Sequence, residues 1–384
     1  MHYPASVSSK LPQVPTSIFS VMSKMAHDND AINLSQGFPD FPISEELIKL
    51  VHSYMKNGFN QYAPMQGVPA LRDIISKKVA SLYNCVYDPE SEITITSGAT
   101  QALFTAIMAL VKEGDEVIVF TPAYDSYSPA IELAGGKAVY IQLQTPEYKI
   151  DWEQVKKIIN SRTRMMVINT PHNPTGSVMD KKDMQQLEKI TKDNDIIILS
   201  DEVYEHIIFD GLKHQSVSAY PSLAQRSLVV ASFGKTFHAT GWKMGYCLAP
   251  ENLMKEFRKI HQFNVFSSNT PIQYALSDYL QDPANYLGLG EMYQAKRDRF
   301  LSAIKDSRFT PVPCSGTYFQ LLSYKGISNE SDVKMAEKLT IENKVASIPV
   351  SVFYNNPIDE KVLRFCFAKA DDTIDRAAEI LSAI

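Results

Sequence analysis

Cysteine is scarce in this sequence: Cys85, Cys247, Cys314 and Cys366 are far apart and never form a CxxC pair. That excludes a zinc knuckle and a disulfide framework and reads as reduced thiols. The eight histidines show no HExxH or paired spacing, so no metal site is expected. Positive charge is not in excess. The 38 basic and 43 acidic residues are spread evenly, leaving a net charge of -5 and no basic stripe to neutralise a phosphate backbone. Nucleic acid is therefore not an expected partner. No run approaches the ~20 apolar residues that cross a bilayer, and residues 1–10 lack the charged start and apolar run of a signal peptide. A cytoplasmic protein without a membrane partner is expected.

What is present is alternation. With 45% hydrophobic residues over 384 positions the chain can bury a large core, and its length suggests two domains. From about residue 90 to residue 250 short apolar runs alternate with longer amphipathic ones, the pattern of an α/β domain. Runs 116–120, 165–169, 196–200 and 228–232 are rich in β-branched residues and too short for buried helices, so they predict parallel strands covered on both faces. Residues 101–111 predict a helix with Leu103, Ile107 and Leu110 on one face, ended by the turn Glu113-Gly114-Asp115. Before residue 45, Pro12, Pro15, Pro39 and Pro42 predict an extended arm with little regular structure. After about residue 285, a helical stretch over 292–304 and strand candidates near 318–322 and 363–367 predict a smaller α+β domain. The expected organisation is an arm with part of the small domain (1–45), a large domain (46–285) and a small domain (286–384).

Polar residues fall in a pattern. After 165–169 comes Thr170-Pro171-His172-Asn173-Pro174-Thr175-Gly176. After 196–200 comes Asp201-Glu202-Val203-Tyr204, and after 228–232 come Phe233-Gly234-Lys235-Thr236 and Thr240-Gly241-Trp242-Lys243. Open parallel sheets bind ligands at the carboxyl ends of their strands, so these clusters are expected to meet. A fourth cluster, Ser97-Gly98-Ala99-Thr100, follows the β-rich Ile93-Thr94-Ile95-Thr96 and opens the helix at Gln101. Small residues there leave N–H groups free beside the positive end of the helix dipole, which suits a phosphate, although most such turns only cap a helix.

In order and spacing, NTPHNPTG (169–176), SDEVY (200–204) and SFGKTFHATGWKMGY (232–246) resemble the class I, fold-type I aminotransferases. The likeness runs from the arm at 33–40 to Arg364-Phe365-Cys366-Phe367. It is narrower toward the methionine, kynurenine and glutamine aminotransferase branch, through residues 36–41, Asn60-Gln61-Tyr62 and residues 348–354. The resemblance implies a large domain with a mostly parallel sheet flanked by helices, a small α+β domain, and pyridoxal 5′-phosphate as cofactor. Removing the α-proton of an amino acid needs an electron sink, which side chains lack and a protonated pyridine supplies.

By the same resemblance, Lys235 binds the cofactor's aldehyde and serves as general acid and base, and Asp201 keeps the pyridine nitrogen protonated. Tyr204 and Asn173 would reach the cofactor's O3′. The turn Gly98-Ala99-Thr100, Ser232 and Lys243 would hold the phosphate. Lys243 stands where many relatives carry arginine, which keeps the charge and gives up the planar fork. Tyr124 would stack on the pyridine ring, and Tyr62 would reach the phosphate of a neighbouring subunit, implying a homodimer with shared sites. Arg364 would clamp the substrate's α-carboxylate, with Asn173 and the backbone of Gly37 completing that site. Phe19, Phe38, Phe266 and Phe353 are expected to line an apolar side-chain pocket.

Plainer readings stand beside these: Lys235 as a solvated lysine, Asp201 as a helix cap, Arg364 as half of an ion pair, Tyr124 and the phenylalanines as core. The expected activity is ping-pong transfer of the amino group of methionine, aromatic amino acids or kynurenine to a 2-oxo acid. Two alternatives stay open. One is β-elimination from cysteine S-conjugates on the same scaffold. The other is a non-catalytic cofactor-binding regulator, for which the ~35 residues ahead of Gln36 are too few and too polar to form a helix-turn-helix.

Overall fold

The structure, a computed structural model, describes all residues except His2, Pro4 and Pro357. Its centre is a seven-stranded sheet in the order Ile93–Thr96, Gly245–Leu248, Ser227–Ser232, Ile197–Asp201, Thr163–Asn169, Glu116–Thr121, Lys137–Gln142. The last five run parallel, and Gly245–Leu248 is antiparallel to both its neighbours. Each predicted apolar run lies in this sheet, its ends moved by no more than the usual uncertainty of strand boundaries.

Alternate side chains explain why these runs are apolar throughout. Val117 and Val119 enter one core with Leu103, Ile107 and Leu110 of the helix Ala99–Leu110. Ile118 and Phe120 enter a separate core that includes Met184 and Leu187 of the helix Lys181–Thr191. Successive strand residues point to opposite faces, so a sheet covered on both sides needs apolar residues at every position. Burying each such side chain contributes roughly 1.5–3 kcal/mol.

The extended arm expected before residue 45 is corrected. Residues Ile18–Asp28 form an α-helix, with Met22 and Ala26 buried one turn apart and Ile18, Phe19 and Met25 against the same core. The prolines that suggested extension flank this segment and do not interrupt it, so the apolar spacing inside it prevails. Beyond the helix, Ile32–Asn33 pairs in parallel with Val345–Ala346 and ties the arm to the C-terminal part.

That part is α+β. An antiparallel sheet in the order Ile348–Pro349, Val362–Cys366, Phe319–Ser323, Thr310–Pro311 accompanies the mutually packed helices Leu289–Ala303 and Asp371–Ser382. Arg364 sits mid-strand, opposite Leu321 on one side and Ile348 on the other. No described helix is long and apolar enough to cross a membrane.

Candidate active site

The strands Thr163–Asn169, Ile197–Asp201 and Ser227–Ser232 end at one edge of the large sheet, with Asn169 opposite Asp201 and Asp201 opposite Val230. A cavity of about 190 Å³ opens there. Its walls carry Gly98, Ala99, Thr100, Ser232 and Lys243 together with Asp201, Tyr204, Lys235, Tyr124 and Asn173. Residues spread over 146 positions, from Gly98 to Lys243, thus share one space because parallel crossovers return each strand to the same edge.

Gly98 adopts φ +80°, in the left-handed region that favours glycine, and turns the chain into the helix Ala99–Leu110. Among the described residues no side chain caps this helix, so its first N–H groups remain available at the cavity wall beside the positive end of the dipole. Gly245 allows the close approach: a Cβ there would lie 2.7 Å from the Ala231 carbonyl oxygen and 3.1 Å from the Ala99 nitrogen. The stem of Lys243 packs against Gly98, and a Cβ at Gly98 would lie 3.5 Å from its Cε. Backbone donors, the Ser232 hydroxyl and an ammonium group therefore form an anion cradle.

Asp201 is buried at the end of its strand. Its Oδ2 accepts the Tyr127 hydroxyl at 2.6 Å, and its Oδ1 accepts the Val203 N–H at 3.4 Å. Burial pushes the carboxyl up to about 6, against the opposing pull of the Tyr127 hydrogen bond. A carboxylate in such a place is satisfied by positive charge brought in front of it. Asn169 braces both neighbours: its Nδ2 donates to the Asp201 carbonyl and its Oδ1 accepts the Asn173 N–H, each at 2.8 Å.

Lys235 lies in the single turn Phe233–Thr236 directly after Ser232. Its Nζ donates to the Tyr318 hydroxyl at 2.7 Å and to the Gly37 carbonyl at 3.2 Å, and stands 5.7 Å from the centre of the Tyr204 ring. Loss of water around the amine lowers it to about 8. Above that pH it is neutral and able to attack an aldehyde or accept a proton.

Arg364 is only 1% exposed. Its Nη1 donates to Asn173 Oδ1 at 2.8 Å and its Nη2 to the Ser35 carbonyl at 3.0 Å, while Nε has no partner among the described residues. Neither bond is to a carboxylate. The rings of Phe319, Phe19 and Phe353 stand 3.8, 5.2 and 5.5 Å from its Cζ. Burial lowers the guanidinium to about 10. A buried cation with neutral partners and an orphaned N–H is a receptor for an incoming anion.

Phe19 and Phe353 thus bracket Arg364. Phe38 and Phe266 are not among the rings around Arg364: Phe38 covers the Lys369 ammonium at 4.7 Å, and Phe266 meets the exposed Tyr62 edge-on at 5.5 Å. Gly37 enters through its carbonyl, which accepts from both Lys235 and Tyr318. Sequence reasoning missed Tyr127, Asn169, Tyr318 and Phe319. Asn169 was legible as the last residue of its strand run, whereas the two tyrosines carry no local signal that separates them from core.

An anion cradle, a buried carboxylate and an amine lowered toward neutrality, all on one cavity, fit the phosphate, ring nitrogen and aldehyde of pyridoxal phosphate. Residues 29–381 match the family described as aminotransferase class I and II. A methionine aminotransferase of Escherichia coli K12 is 48% identical over 374 residues, covering 97% of each chain. Human kynurenine–oxoglutarate transaminase 3 is 32% identical, with 97% of this chain and 89% of the relative covered. The crystal structure of an Escherichia coli methionine aminotransferase matches with a TM-score of 0.97 at 47% identity, over 99% of this chain and 100% of that one. With fold, motifs and near full-length identity in agreement, the chain belongs to the class I and II aminotransferases and is a pyridoxal-phosphate-dependent transaminase.

Proposed function

We propose that the protein transfers the amino group of methionine, aromatic amino acids or kynurenine to a 2-oxo acid, as a homodimer in the cytoplasm. The observation that carries this reading is the buried Arg364, whose unpaired Nε and surrounding phenylalanines adjoin, through Asn173, the cavity of Lys235 and Asp201. Bound pyridoxal phosphate supplies an aldehyde for the amino group and a protonated ring that draws electrons from the α-carbon.

The residues divide the remaining work. Lys235 would hold the aldehyde covalently and, as a free amine, would carry the α-proton as general base and then general acid. Asp201 would keep the ring nitrogen charged, Tyr204 and Asn173 would serve the ring oxygen, and Tyr124 would cover the ring. Gly98, Ala99, Thr100, Ser232 and Lys243 would hold the phosphate. Arg364 binds the α-carboxylate with Asn173 and the Gly37 backbone, and its fork geometry orients the α-hydrogen.

Apolar donors are supported by the rings of Phe19, Phe319 and Phe353 around Arg364. Among the described residues, Asp125 is the one charged residue along the walls of a wider groove beside Tyr124 and Phe353, so a distal carboxylate meets no described cation there. The named activities of the methionine and kynurenine relatives agree with that chemistry. For the dimer, Tyr62 is 84% exposed beside Phe266, an aromatic patch suited to burial against a second copy. The test is a panel of amino donors with one 2-oxo acid, read by turnover, alongside sedimentation of the holoenzyme. Methionine, phenylalanine, tyrosine and kynurenine are expected to react, with a dimer in solution. Inert methionine or a monomeric active enzyme would overturn the corresponding part.

A further inference from the structure

Tyr318 is fully buried and does not line the cavity, yet its hydroxyl is the shorter of the two hydrogen-bond partners of the Lys235 amine. The geometry points to Tyr318 as a positioning residue for Lys235, one that turns the working face of the amine toward the cavity. This inference rests on the reading of Lys235 as the cofactor lysine.

The direction of each hydrogen bond follows from what the groups can donate. The Gly37 carbonyl only accepts, so the Tyr318 hydroxyl, 2.5 Å away, gives its proton to Gly37 and offers its oxygen to the amine at 2.7 Å. A neutral amine has two N–H bonds. One goes to Tyr318 and the other to the Gly37 carbonyl at 3.2 Å. The lone pair is left in the third tetrahedral direction, and in the protonated amine the transferable proton occupies it. Both acceptors lie outside the cavity walls while Lys235 is part of them, so that third direction opens onto the cavity. When the substrate's α-C–H bond breaks, its proton bonds to Nζ, and the electron pair left on carbon is taken up by the bound cofactor.

The surroundings hold the tyrosine in this pose. Its ring packs edge-on against Tyr204 at 5.1 Å and Phe319 at 4.9 Å, and tilted on Tyr293 at 5.7 Å. The residue before it, Thr317, is fully buried with φ +66°, a left-handed backbone that β-branched residues rarely adopt. Thr317 is fixed there by its N–H to the Ile207 carbonyl at 3.0 Å and by its hydroxyl, which accepts the Phe319 N–H at 3.1 Å. Backbone strain of this kind persists where the structure over-determines it, and it gathers at functional sites. A tyrosine kept only for packing would be satisfied by the Gly37 carbonyl alone and would need no amine.

Tyr318→Phe removes the hydroxyl and keeps the ring. An accepting oxygen favours an ammonium over an amine, so its loss is expected to lower the pH midpoint of Lys235 by about 0.5–1 unit. That midpoint is read by reductive methylation of the cofactor-stripped full-length chain, with the Lys235 peptide quantified by mass. In the holoenzyme, single-turnover α-proton removal from methionine is expected to slow roughly 10–100-fold, with KM little changed, because the base is misdirected and not lost. An unshifted midpoint with an unchanged single-turnover rate overturns the inference. So does a fall in melting temperature with an unshifted midpoint, which would make Tyr318 a packing residue. Borohydride reduction of the wild-type holoenzyme separates the two readings. Cofactor recovered on a peptide without Lys235 overturns the site reading and this one with it, whereas cofactor on Lys235 with an unshifted Tyr318→Phe variant overturns only the role of Tyr318.

Discussion

Tyr127 donates its hydroxyl to Asp201 at 2.6 Å, and both side chains are buried. Burial raises the carboxyl from its ordinary 3.8 to about 6. Across that window the folded chain binds more protons than the unfolded one, so stability falls as pH rises through it and stays lower above about 6. A rise of this size corresponds to about 3 kcal/mol. In cofactor-free protein, Asp201→Asn is therefore expected to raise the melting temperature by a few degrees near pH 7 and to change it little near pH 4. The same variant should slow single-turnover deamination by roughly 10³-fold or more, because a neutral amide cannot keep a ring nitrogen protonated. Melting curves across pH check the first part, and a variant less stable than wild type near pH 7 contradicts it.

What the sequence made legible was local. Lys235 and Asp201 each follow a β-branched run within a few residues, so strand and site could be read together. Tyr318 acts on Lys235 from 83 residues away and on Gly37 from 281, and no pattern in the chain announces those pairings. Phe38 and Phe266 were grouped with Phe19 and Phe353 by residue type alone. Only tertiary packing separates the pair around Arg364 from the two that stand on a lysine and on Tyr62. The helix Ile18–Asp28 was hidden by prolines on either side of it, which limit structure only where they stand.

Cofactor uptake offers a pH test of Lys235. Its amine, lowered to about 8 by loss of surrounding water, must be neutral to attack an aldehyde. Loading of cofactor-free protein is expected to quicken as pH rises through about 8 and then level off, whereas a solvated lysine would keep accelerating toward its ordinary 10.5. The loaded protein should be yellow and lose its visible band on borohydride reduction. Lys235→Ala should still retain cofactor through the phosphate cradle and lose turnover by roughly 10³-fold or more. Continued acceleration well above pH 8 in wild type would show that another amine is being loaded.

Arg364 should act on every donor alike, since each presents the same α-carboxylate. Its two-pronged contact to a buried anion involves charge-assisted bonds of about 1.5–3 kcal/mol each, so Arg364→Ala should lower kcat/KM roughly 10²–10³-fold across the panel. Arg364→Lys should recover part of this, keeping the charge without the fork. A loss confined to one donor would assign Arg364 to side-chain recognition instead.

The choice among donors should lie with the groove beside Tyr124. Its walls include Phe353 and Asp125, and no cationic residue stands among the described residues that line it. A methionine or aromatic side chain loses little on leaving water for such a surface, while a distal carboxylate must shed its hydration and then meet the like charge of Asp125. Wild type should therefore favour methionine and phenylalanine over aspartate and glutamate. Asp125→Asn removes the repulsion and leaves the apolar walls in place, so it should raise the efficiency of glutamate relative to methionine by roughly 3–10-fold, more strongly at low salt than at high. Phe353→Ala should work in the other sense, removing apolar contact and lowering methionine and phenylalanine by roughly 10-fold while glutamate changes less. Competition assays with pairs of donors in one reaction measure these ratios directly. Equal ratios in wild type, Asp125→Asn and Phe353→Ala would place side-chain selection elsewhere, while leaving Lys235 and Asp201 in their roles.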